Sequence, residues 1–280
     1  MDGLDSSIKR RTVVMTSVIT GFSLAADRAH GQEIHTGTEG LEAGETKIFS
    51  DAVDLPGYYA KPAGAGPFPM VLVIEEIFGV HEHIKDICRR LAKVGYLAVA
   101  PELYARIGDL STMTDVGQIV RDVISKAPDE QLMRDLDNTI VWAGKNGGDL
   151  GRIGVTGFCR GGRDVWLYDA HNPALRAAVA WYGPVGGQPS AIQPKTAADV
   201  AGDLHAPLLG LYGKEDQSIP VAALLQAESK AKSAGKTIEI IVYDNAGHGF
   251  NADYRPSYKA AAAMDGWNRM LAWFKKYGVA

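Results

Sequence analysis

The sequence predicts an α/β fold with a mostly parallel central sheet and helices on both of its faces. Apolar segments of strand length alternate with segments of helical spacing from about residue 46 to the C-terminus, and this alternation is typical of βαβ units. The run Phe68–Ile74 is largely apolar and contains several β-branched residues, as expected for a strand buried on both faces. With 280 residues and 46% apolar content, the chain can form one large domain with a substantial core.

The predicted elements follow one another along the chain. Two short strands at 46–50 and 57–61 precede Pro62, and later apolar runs predict strands at 68–74, 96–100, 152–156, 177–182, 207–212 and 237–243. Helical spacing predicts helices at 82–95, 115–125, 129–145, 220–234 and 257–277, with another directly after the strand at 152–156. Gly95 suits the end of the first helix, and Pro101 ends the next strand. Right-handed crossovers place the carboxyl ends of the strands on one edge, where ligands bind.

The most informative motif is Gly157-Phe158-Cys159-Arg160-Gly161-Gly162, which lies between a predicted strand and a predicted helix. A nucleophile flanked by glycines in this position is the elbow of α/β-hydrolases, here with cysteine where serine is usual. The glycines are needed because the nucleophile is held in a strained turn, where a neighbouring Cβ would crowd the adjacent strand and helix. The motif predicts a hydrolase that attacks carbonyl groups with a thiolate. A buried structural cysteine is the alternative.

Two further polar residues follow later strands, at the same predicted edge. Asp216 comes after the strand at 207–212, and His248 comes after the strand at 237–243. The order nucleophile, acid, histidine is the one that α/β-hydrolases use. In this chemistry the histidine accepts the thiol proton, and the aspartate orients the imidazole and stabilises its charged form. Three alternatives stay open: Glu215 as the acid, Asp216 as a helix cap, and His248 as an ordinary surface histidine.

The loop after the strand at 68–74 is a second candidate part of the site. It begins with Glu75 and Glu76, and acidic residues beside a fully apolar strand are costly unless they are paired or lie at the sheet edge. In α/β-hydrolases this loop supplies the second donor to the oxyanion. We therefore expect the backbone amides of Ile77 and Arg160 to form the oxyanion hole.

Four segments together resemble the dienelactone hydrolase (carboxymethylenebutenolidase) family: Glu76-Ile77-Phe78-Gly79-Val80, Leu103-Tyr104-Ala105-Arg106, the elbow motif, and Ala246-Gly247-His248-Gly249-Phe250. The resemblance covers roughly residues 46–278. It implies a triad of Cys159, Asp216 and His248, with Glu76 in contact with the resting thiol and helping to generate the thiolate when substrate arrives. A carboxylate can take a thiol proton if burial raises the pKa of that carboxylate.

The resemblance also implies arginines that hold a carboxylate of the substrate. Arg106 matches the first of them, and a guanidinium suits bidentate binding of a carboxylate; a surface arginine in a loop is the alternative. The family's second arginine lies shortly after the histidine, where this chain has Asn251-Ala252. Arg255 is a displaced candidate for that role, so the dienelactone substrate is less firmly implied than the hydrolase chemistry. Tyr182 and Phe250 are candidate pocket residues, although aromatic residues at strand ends are as often part of the core.

The first 31 residues have the pattern of a secretory signal. Lys9-Arg10-Arg11 precede the uncharged stretch 12–26 and several small residues, and the paired arginines also fit a twin-arginine signal. We expect export to the periplasm or secretion, a linker at 32–45 and a catalytic domain at 46–280. A free catalytic thiol would be exposed to oxidation outside the cytoplasm, so a cytoplasmic protein with a loose N-terminal tail is the alternative.

Composition and motifs also exclude several classes of partner. The net charge of −4 and the scattered lysines and arginines of the domain argue against nucleic acid. No segment after the signal reaches the roughly 20 apolar residues of a membrane span, so we expect no stable membrane insertion of the mature chain. His81-Glu82-His83 lacks the H-E-x-x-H spacing of a zinc site, and no P-loop is present.

We therefore expect a monomer that needs no metal or cofactor and cleaves a small ester or lactone. Two alternatives remain open at this point. A broader carboxylesterase or thioesterase would use the same residues, whereas a thiol redox or ligand-binding protein could keep this fold without hydrolysis.

Overall fold

The computed structural model describes residues 33–280, so the signal-like segment and its export prediction lie outside the described part of the chain. Eight strands are present in the described part. Their bounds are β1 Leu41–Ser50, β2 Val53–Pro62, β3 Phe68–Ile74, β4 Leu97–Pro101, β5 Gly148–Phe158, β6 Ala177–Trp181, β7 Leu208–Gly213 and β8 Ile238–Tyr243. The α-helices are α1 Glu82–Lys93, α2 Val116–Asp122, α3 Asp129–Lys145, α4 Arg160–His171, α5 Ala197–Val200, α6 Val221–Ser233 and α7 Ala260–Lys276.

All eight strands form one sheet in the order β1-β2-β4-β3-β5-β6-β7-β8. The pairs β1–β2 and β2–β4 are antiparallel, whereas every neighbouring pair from β4 to β8 is parallel. The predicted α/β fold, with a mostly parallel sheet between two layers of helices, is confirmed. Because the strands from β4 to β8 are parallel, the loops that follow them all lie at one edge of the sheet.

The N-terminal hairpin is larger than the sequence pattern predicts. β1 begins at Leu41, within the segment expected to be a linker, and it pairs with β2 along its whole length. Most residues of β1 are partly or fully exposed, and its polar residues hide the strand pattern. Such polarity is common on edge strands, where charges discourage pairing with other chains. The segment before β1 is also attached to the domain, since the Thr36 amide donates to Asp86 of α1 (2.5 Å).

The core lies on both sides of the sheet. The largest side chains that are fully buried are aromatic, and most of them belong to α4 or to the ends of β6 and β7: Trp166, Trp181, Tyr104, Tyr168, Tyr182 and Tyr212. Cys88 of α1 is buried as predicted, and burial raises its pKa well above the usual range of a thiol. Within residues 33–280, no helix combines the length and apolar character needed to cross a membrane.

Candidate active site

Cys159 lies in a strained turn between β5 and α4. Its φ and ψ are 54° and −118°, a backbone conformation that side-chain-bearing residues rarely adopt. The Cys159 amide donates to the Trp181 carbonyl (3.0 Å), and its own carbonyl accepts from the Gly162 amide (3.0 Å). The turn is therefore anchored to the end of β6 and to the first turn of α4.

The glycines of the motif are required by close backbone contacts. A Cβ at Gly157 would lie 2.4 Å from the Gly161 carbonyl oxygen, and a Cβ at Gly161 would lie 2.4 Å from the Glu75 carbonyl oxygen. Backbone atoms cannot move aside as a flexible side chain can. The crowding that the motif predicts is thus present on both sides of Cys159.

His248 and Asp216 meet at the ends of β8 and β7. The Nδ1 atom of His248 lies 2.7 Å from Asp216 Oδ2, while Asp216 Oδ1 accepts hydrogen bonds from the Ser218 amide (2.9 Å) and hydroxyl (2.6 Å). Burial opposes ionisation of Asp216, but the hydrogen bonds from His248 and Ser218 outweigh it and lower the pKa of Asp216. Asp216 is therefore the acid that orients His248, whereas its rival Glu215 is exposed to solvent.

The side chain of Cys159 also hydrogen-bonds to His248. Burial alone would lower the pKa of His248, but the Cys159 sulfur and the Asp216 carboxylate raise it to about 10. Near neutral pH the imidazole is consequently protonated between a carboxylate and the sulfur. The structure thus brings together Cys159, His248 and Asp216, the three residues expected to form a triad.

Glu76 is fully buried at the end of β3. Its Oε2 atom accepts a hydrogen bond from the Tyr254 hydroxyl (2.6 Å) and lies 3.3 Å from both His81 Nε2 and Arg255 Nη2. Its Oε1 atom has no hydrogen-bond partner within residues 33–280. The contact with the Cys159 thiol that the family resemblance implies is therefore not among the hydrogen bonds of the described chain.

The ionisation of Glu76 differs from the expectation. Burial does oppose its charge, but Arg255 and His81 outweigh burial and hold the pKa of Glu76 well below its usual range. The expected condition, a carboxylate whose pKa is raised so that it can accept a thiol proton, is not met. The sequence does not reveal the cations that surround Glu76, and the predicted role of this residue when substrate arrives stays a prediction.

Arg255 lies beside Glu76, and its guanidinium has protein partners. It is 3% exposed and lies between the rings of Phe78 and Tyr254, at 4.9 Å and 5.0 Å from their centres. Its Nε atom donates to the Tyr254 hydroxyl (2.9 Å), and Nη2 faces Glu76 Oε2 at 3.3 Å.

Arg106 is placed elsewhere. Its Nη2 atom donates to the Ser50 carbonyl (2.7 Å) and to Asp135 of α3 (2.8 Å), so it joins the β1–β2 turn to that helix. None of the contacts described for Arg106 involves Cys159, Glu76 or His248. This arrangement does not support the predicted role of Arg106 in binding substrate, because Asp135, which no local pattern connects with Arg106, occupies its guanidinium.

The candidate oxyanion donors belong to two segments, the turn after β3 and the first turn of α4. Ile77 is in a tight turn closed by a bridge between Glu76 and Gly79. Arg160 is the first residue of α4, and amides in the first turn of a helix have no partner within that helix. Both positions are compatible with the predicted oxyanion hole.

Acidic residues behind this loop hold it in place. The Leu103 amide donates to Glu75 (2.8 Å), and the Val80 amide donates to Glu102 (3.1 Å). Burial, together with the nearby Glu102, raises the pKa of Glu75 well above its usual range. Burial therefore favours the neutral form of Glu75, and its hydrogen bond to the Leu103 amide explains how an acidic residue is tolerated there.

The aromatic candidates surround the histidine. The Tyr182 ring packs edge-on against His248 and against Phe250, with both centre-to-centre distances at 5.3 Å. The Tyr182 hydroxyl is buried and has no hydrogen-bond partner within residues 33–280. Tyr182 therefore packs between His248 and Phe250, and the role of both aromatic residues in binding substrate stays a prediction.

Two site residues were not identified from the sequence. His81 was considered only as a metal ligand, and Tyr254 was not considered, although both contact Glu76. The available signals were weak: His81 follows Glu76 by five residues, and Tyr254 precedes Arg255. Within residues 33–280 there is no group of three or more acidic, histidine or cysteine residues that could hold a metal ion.

Known proteins resemble this chain over most of its length. Residues 55–278 match the model described as "Dienelactone hydrolase family". A Methylorubrum extorquens protein named "Putative carboxymethylenebutenolidase" is 56% identical over 277 residues, which cover 98% of this chain and 95% of that protein. An Escherichia coli K12 protein of the same name is 52% identical, with coverages of 94% and 97%. A crystal structure described as "Putative Dienelactone Hydrolase" from Klebsiella pneumoniae has a TM-score of 0.83 at 53% identity, with coverages of 85% and 99%.

Proposed function

Since the chain belongs to the dienelactone hydrolase family and is a hydrolase of the ester and lactone class, we propose that it acts through an acyl-thioenzyme formed on Cys159. The observation that carries this proposal is the continuous contact from Asp216 through His248 to Cys159 at the strained elbow. Neither a redox thiol nor a ligand-binding protein would need an imidazole oriented in this way, so the arrangement favours hydrolysis over those alternatives.

In the first half of the reaction, the Cys159 thiolate attacks the carbonyl carbon of the ester. The π electrons of the carbonyl move to its oxygen, which accepts hydrogen bonds from the Ile77 and Arg160 amides. When the tetrahedral intermediate collapses, the C–O bond to the alcohol breaks and His248 donates its proton to the departing oxygen. The acyl group then remains on sulfur as a thioester.

In the second half, neutral His248 removes a proton from water as the water oxygen attacks the thioester carbonyl. Collapse of this second intermediate breaks the C–S bond and releases the acid. The thiolate and the protonated imidazole are restored together, while Asp216 keeps the imidazole oriented throughout.

The proton of the resting thiol goes to His248 in this proposal, and Glu76 is not its acceptor. Glu76 already accepts a hydrogen bond from Tyr254 and is paired with Arg255. Its lowered pKa makes it a poor base. Glu76 instead contributes a fixed negative charge beside the site.

Turnover of p-nitrophenyl acetate tests this mechanism. Cys159→Ala should abolish the enzyme-dependent release of nitrophenol, and Asp216→Asn should lower kcat by about 10²–10⁴ because the imidazole loses its orientation. Cys88→Ala is the matched control, since Cys88 is buried in α1 outside the site, and it should retain wild-type turnover. Unchanged release by Cys159→Ala would contradict the proposal, and a stable sulfenate without turnover would favour the redox alternative. Turnover of thioesters with the same acyl groups tests the thioesterase alternative, which predicts that thioesters are cleaved at least as fast as the corresponding esters.

We further propose that the protein is exported through its N-terminal signal and acts as a monomer. The basic residues and the uncharged stretch in residues 1–31 support export. N-terminal sequencing of the protein from its native host tests the first part, since an intact Met1 would contradict export with cleavage. Light scattering of the purified protein measures its molar mass in solution and so tests whether it is a monomer.

A further inference from the structure

Two acidic side chains, Glu75 and Glu102, lie together behind the turn 76–80, which carries the candidate oxyanion donor Ile77 and is here named the Ile77 turn. Their carboxyl groups are within hydrogen-bonding reach of each other. Glu75 directly follows β3 and is fully buried, whereas Glu102 follows β4 and is partly buried. No step of the proposed reaction uses either residue, although a buried pair of acids is costly unless it is compensated.

The hydrogen bonds of this pair indicate that it holds a proton. Glu75 Oε1 accepts a hydrogen bond from the Leu103 amide (2.8 Å). Glu75 Oε2 is buried and receives no hydrogen bond from an N–H or O–H group of residues 33–280. Two ionised carboxylates at this separation would repel each other, so carboxyl groups that share a site retain one proton. With that proton, one carboxyl group donates to the other and the repulsion is replaced by a hydrogen bond.

The neighbouring elements do not supply a cation in place of the proton. The titratable groups around the pair, from one side to the other, are Glu45 of β1, Lys85 of α1, Tyr104 of the loop after β4, and Asp164 of α4. Lys85 acts on Glu102 but is paired with Glu45, which acts on Glu102 in the opposite direction. The Tyr104 hydroxyl donates to Asp164 (3.3 Å). Burial, together with Glu102, raises the pKa of Glu75 well above its usual range, and burial also raises the pKa of Glu102.

The pair connects both ends of the Ile77 turn to the loop after β4. At the start of the turn, Glu75 accepts a hydrogen bond from the Leu103 amide. At its end, the Val80 amide donates to Glu102 Oε1 (3.1 Å). A hydrogen bond between the two carboxyl groups therefore closes a ring that contains the whole turn. Repulsion between two ionised carboxylates would open that ring.

We propose that Glu75 and Glu102 share one proton and act as positioning residues that hold the Ile77 amide in the oxyanion hole. This inference rests on the proposed function, because it concerns the oxyanion of the ester cleaved at Cys159. Loss of the shared proton separates the carboxylates and displaces the Ile77 amide. An oxyanion donor acts on the transition state more than on the bound ester, so its displacement lowers kcat and leaves KM nearly unchanged.

The dependence of kcat on pH tests this inference in the full-length protein. Turnover of p-nitrophenyl acetate is measured between pH 6 and pH 10, and spontaneous hydrolysis is subtracted. Glu75→Gln replaces the shared proton by an amide N–H, which can donate to Glu102 at every pH. The ratio of kcat at pH 10 to kcat at pH 6 should therefore be about tenfold higher in Glu75→Gln than in wild type. Superimposed pH profiles of the two proteins would overturn the inference.

Removal of the side chain tests the positioning role separately. Glu75→Ala should lower kcat at pH 6 by about tenfold or more, with KM within about twofold of the wild-type value. A raised KM with unchanged kcat would overturn the inference, since it would assign Glu75 to substrate binding. If Glu75→Ala fails to fold, the pH profiles of Glu75→Gln and wild type decide the result.

Glu130→Gln is the matched control, because Glu130 lies on α3 and is exposed. It should keep the wild-type kcat and the wild-type pH profile, and a tenfold change like that of Glu75→Gln would overturn the inference. If wild type showed no Cys159-dependent turnover, the proposed function would fail and this inference with it. Superimposed profiles in an active enzyme would overturn this inference alone.

Discussion

At the scale of single residues, the surroundings of His248 and of Glu76 decide which of the two can take the proton of Cys159. His248 lies between the Asp216 carboxylate and the sulfur, so its protonated form is stabilised. Glu76 is surrounded by Arg255, Tyr254 and His81, so its ionised form is stabilised. A proton from the thiol is therefore more stable on His248 than on Glu76.

This assignment predicts how the titration of His248 depends on Cys159. Cys159→Ala removes the largest favourable contribution to the charged imidazole, so the pKa of His248 should fall clearly below the wild-type value of about 10. NMR of the imidazole nuclei measures both titrations. Identical titration curves in wild type and Cys159→Ala would show that the sulfur does not stabilise the charge.

The sign of the accompanying stability change follows from linkage. In the unfolded chain the pKa of a histidine is about 6.5, below the folded value for His248. Its contribution to stability is therefore fully present below about pH 6.5 and is lost as the pH rises through the folded pKa.

At the scale of secondary-structure elements, the position of the nucleophile depends on how closely β3 and α4 approach each other. Gly161, in the first turn of α4, lies against the carbonyl groups of Ile74 and Glu75 at the end of β3. This contact fixes Cys159 relative to the Ile77 turn, so that the thiol and the predicted oxyanion donors are positioned by the same packing. The elbow motif predicts close packing here, although it does not identify the strand involved.

Gly161→Ala should therefore damage both stability and catalysis. The new Cβ would lie 2.4 Å and 2.5 Å from the Glu75 and Ile74 carbonyl oxygens. We expect a loss of about 1–3 kcal/mol in the free energy of unfolding, as is usual for overpacking, and a larger fractional loss in kcat. Urea denaturation and p-nitrophenyl acetate turnover measure the two effects. Gly186→Ala is the control, since its Cβ would meet open space, and equal behaviour of the two variants would contradict this account.

At the scale of the whole molecule, buried charges also connect elements far from the active site. Asp169 of α4 is fully buried and accepts hydrogen bonds from the His205 amide (3.1 Å) and the Ala206 amide (2.7 Å), just before β7. Burial raises the pKa of Asp169 to about 7, compared with about 3.9 in an unfolded chain. The folded state thus binds this proton more tightly, so the stabilisation is fully present below about pH 4 and is lost as the pH rises through about 7.

Asp169→Asn should reduce this dependence of stability on pH, because the amide oxygen can still accept both hydrogen bonds but carries no charge. Between pH 5 and pH 8, the free energy of unfolding should fall by about 1–3 kcal/mol less in Asp169→Asn than in wild type. Urea denaturation at the two pH values measures the difference. Asp203→Asn is the control because Asp203 is exposed. If both variants kept the wild-type pH dependence, the assignment to Asp169 would be wrong.

The α/β fold and the grouping of Cys159, Asp216 and His248 at one site are predicted by the sequence alone. Strand patterns and the glycine-flanked elbow are local signals, because a strand is recognised from its own residues and the nucleophile from its immediate neighbours. The order of these three residues along the chain can also be predicted, since each of them follows a strand of the parallel sheet. The N-terminal part of β1 is the main element that escaped prediction, because polar residues on an edge strand conceal the pattern.

Only the tertiary structure determines the partners of the charged groups. Arg106 and Asp135 are 29 residues apart, and Tyr254 and Glu76 are 178 residues apart, so no local pattern connects them. Ionisation depends on burial and on charges within a few ångströms, and those distances are set by how strands and helices pack. The sequence therefore predicts a thiol nucleophile at Cys159 from local signals, whereas only the folded arrangement pairs Glu76 with Arg255.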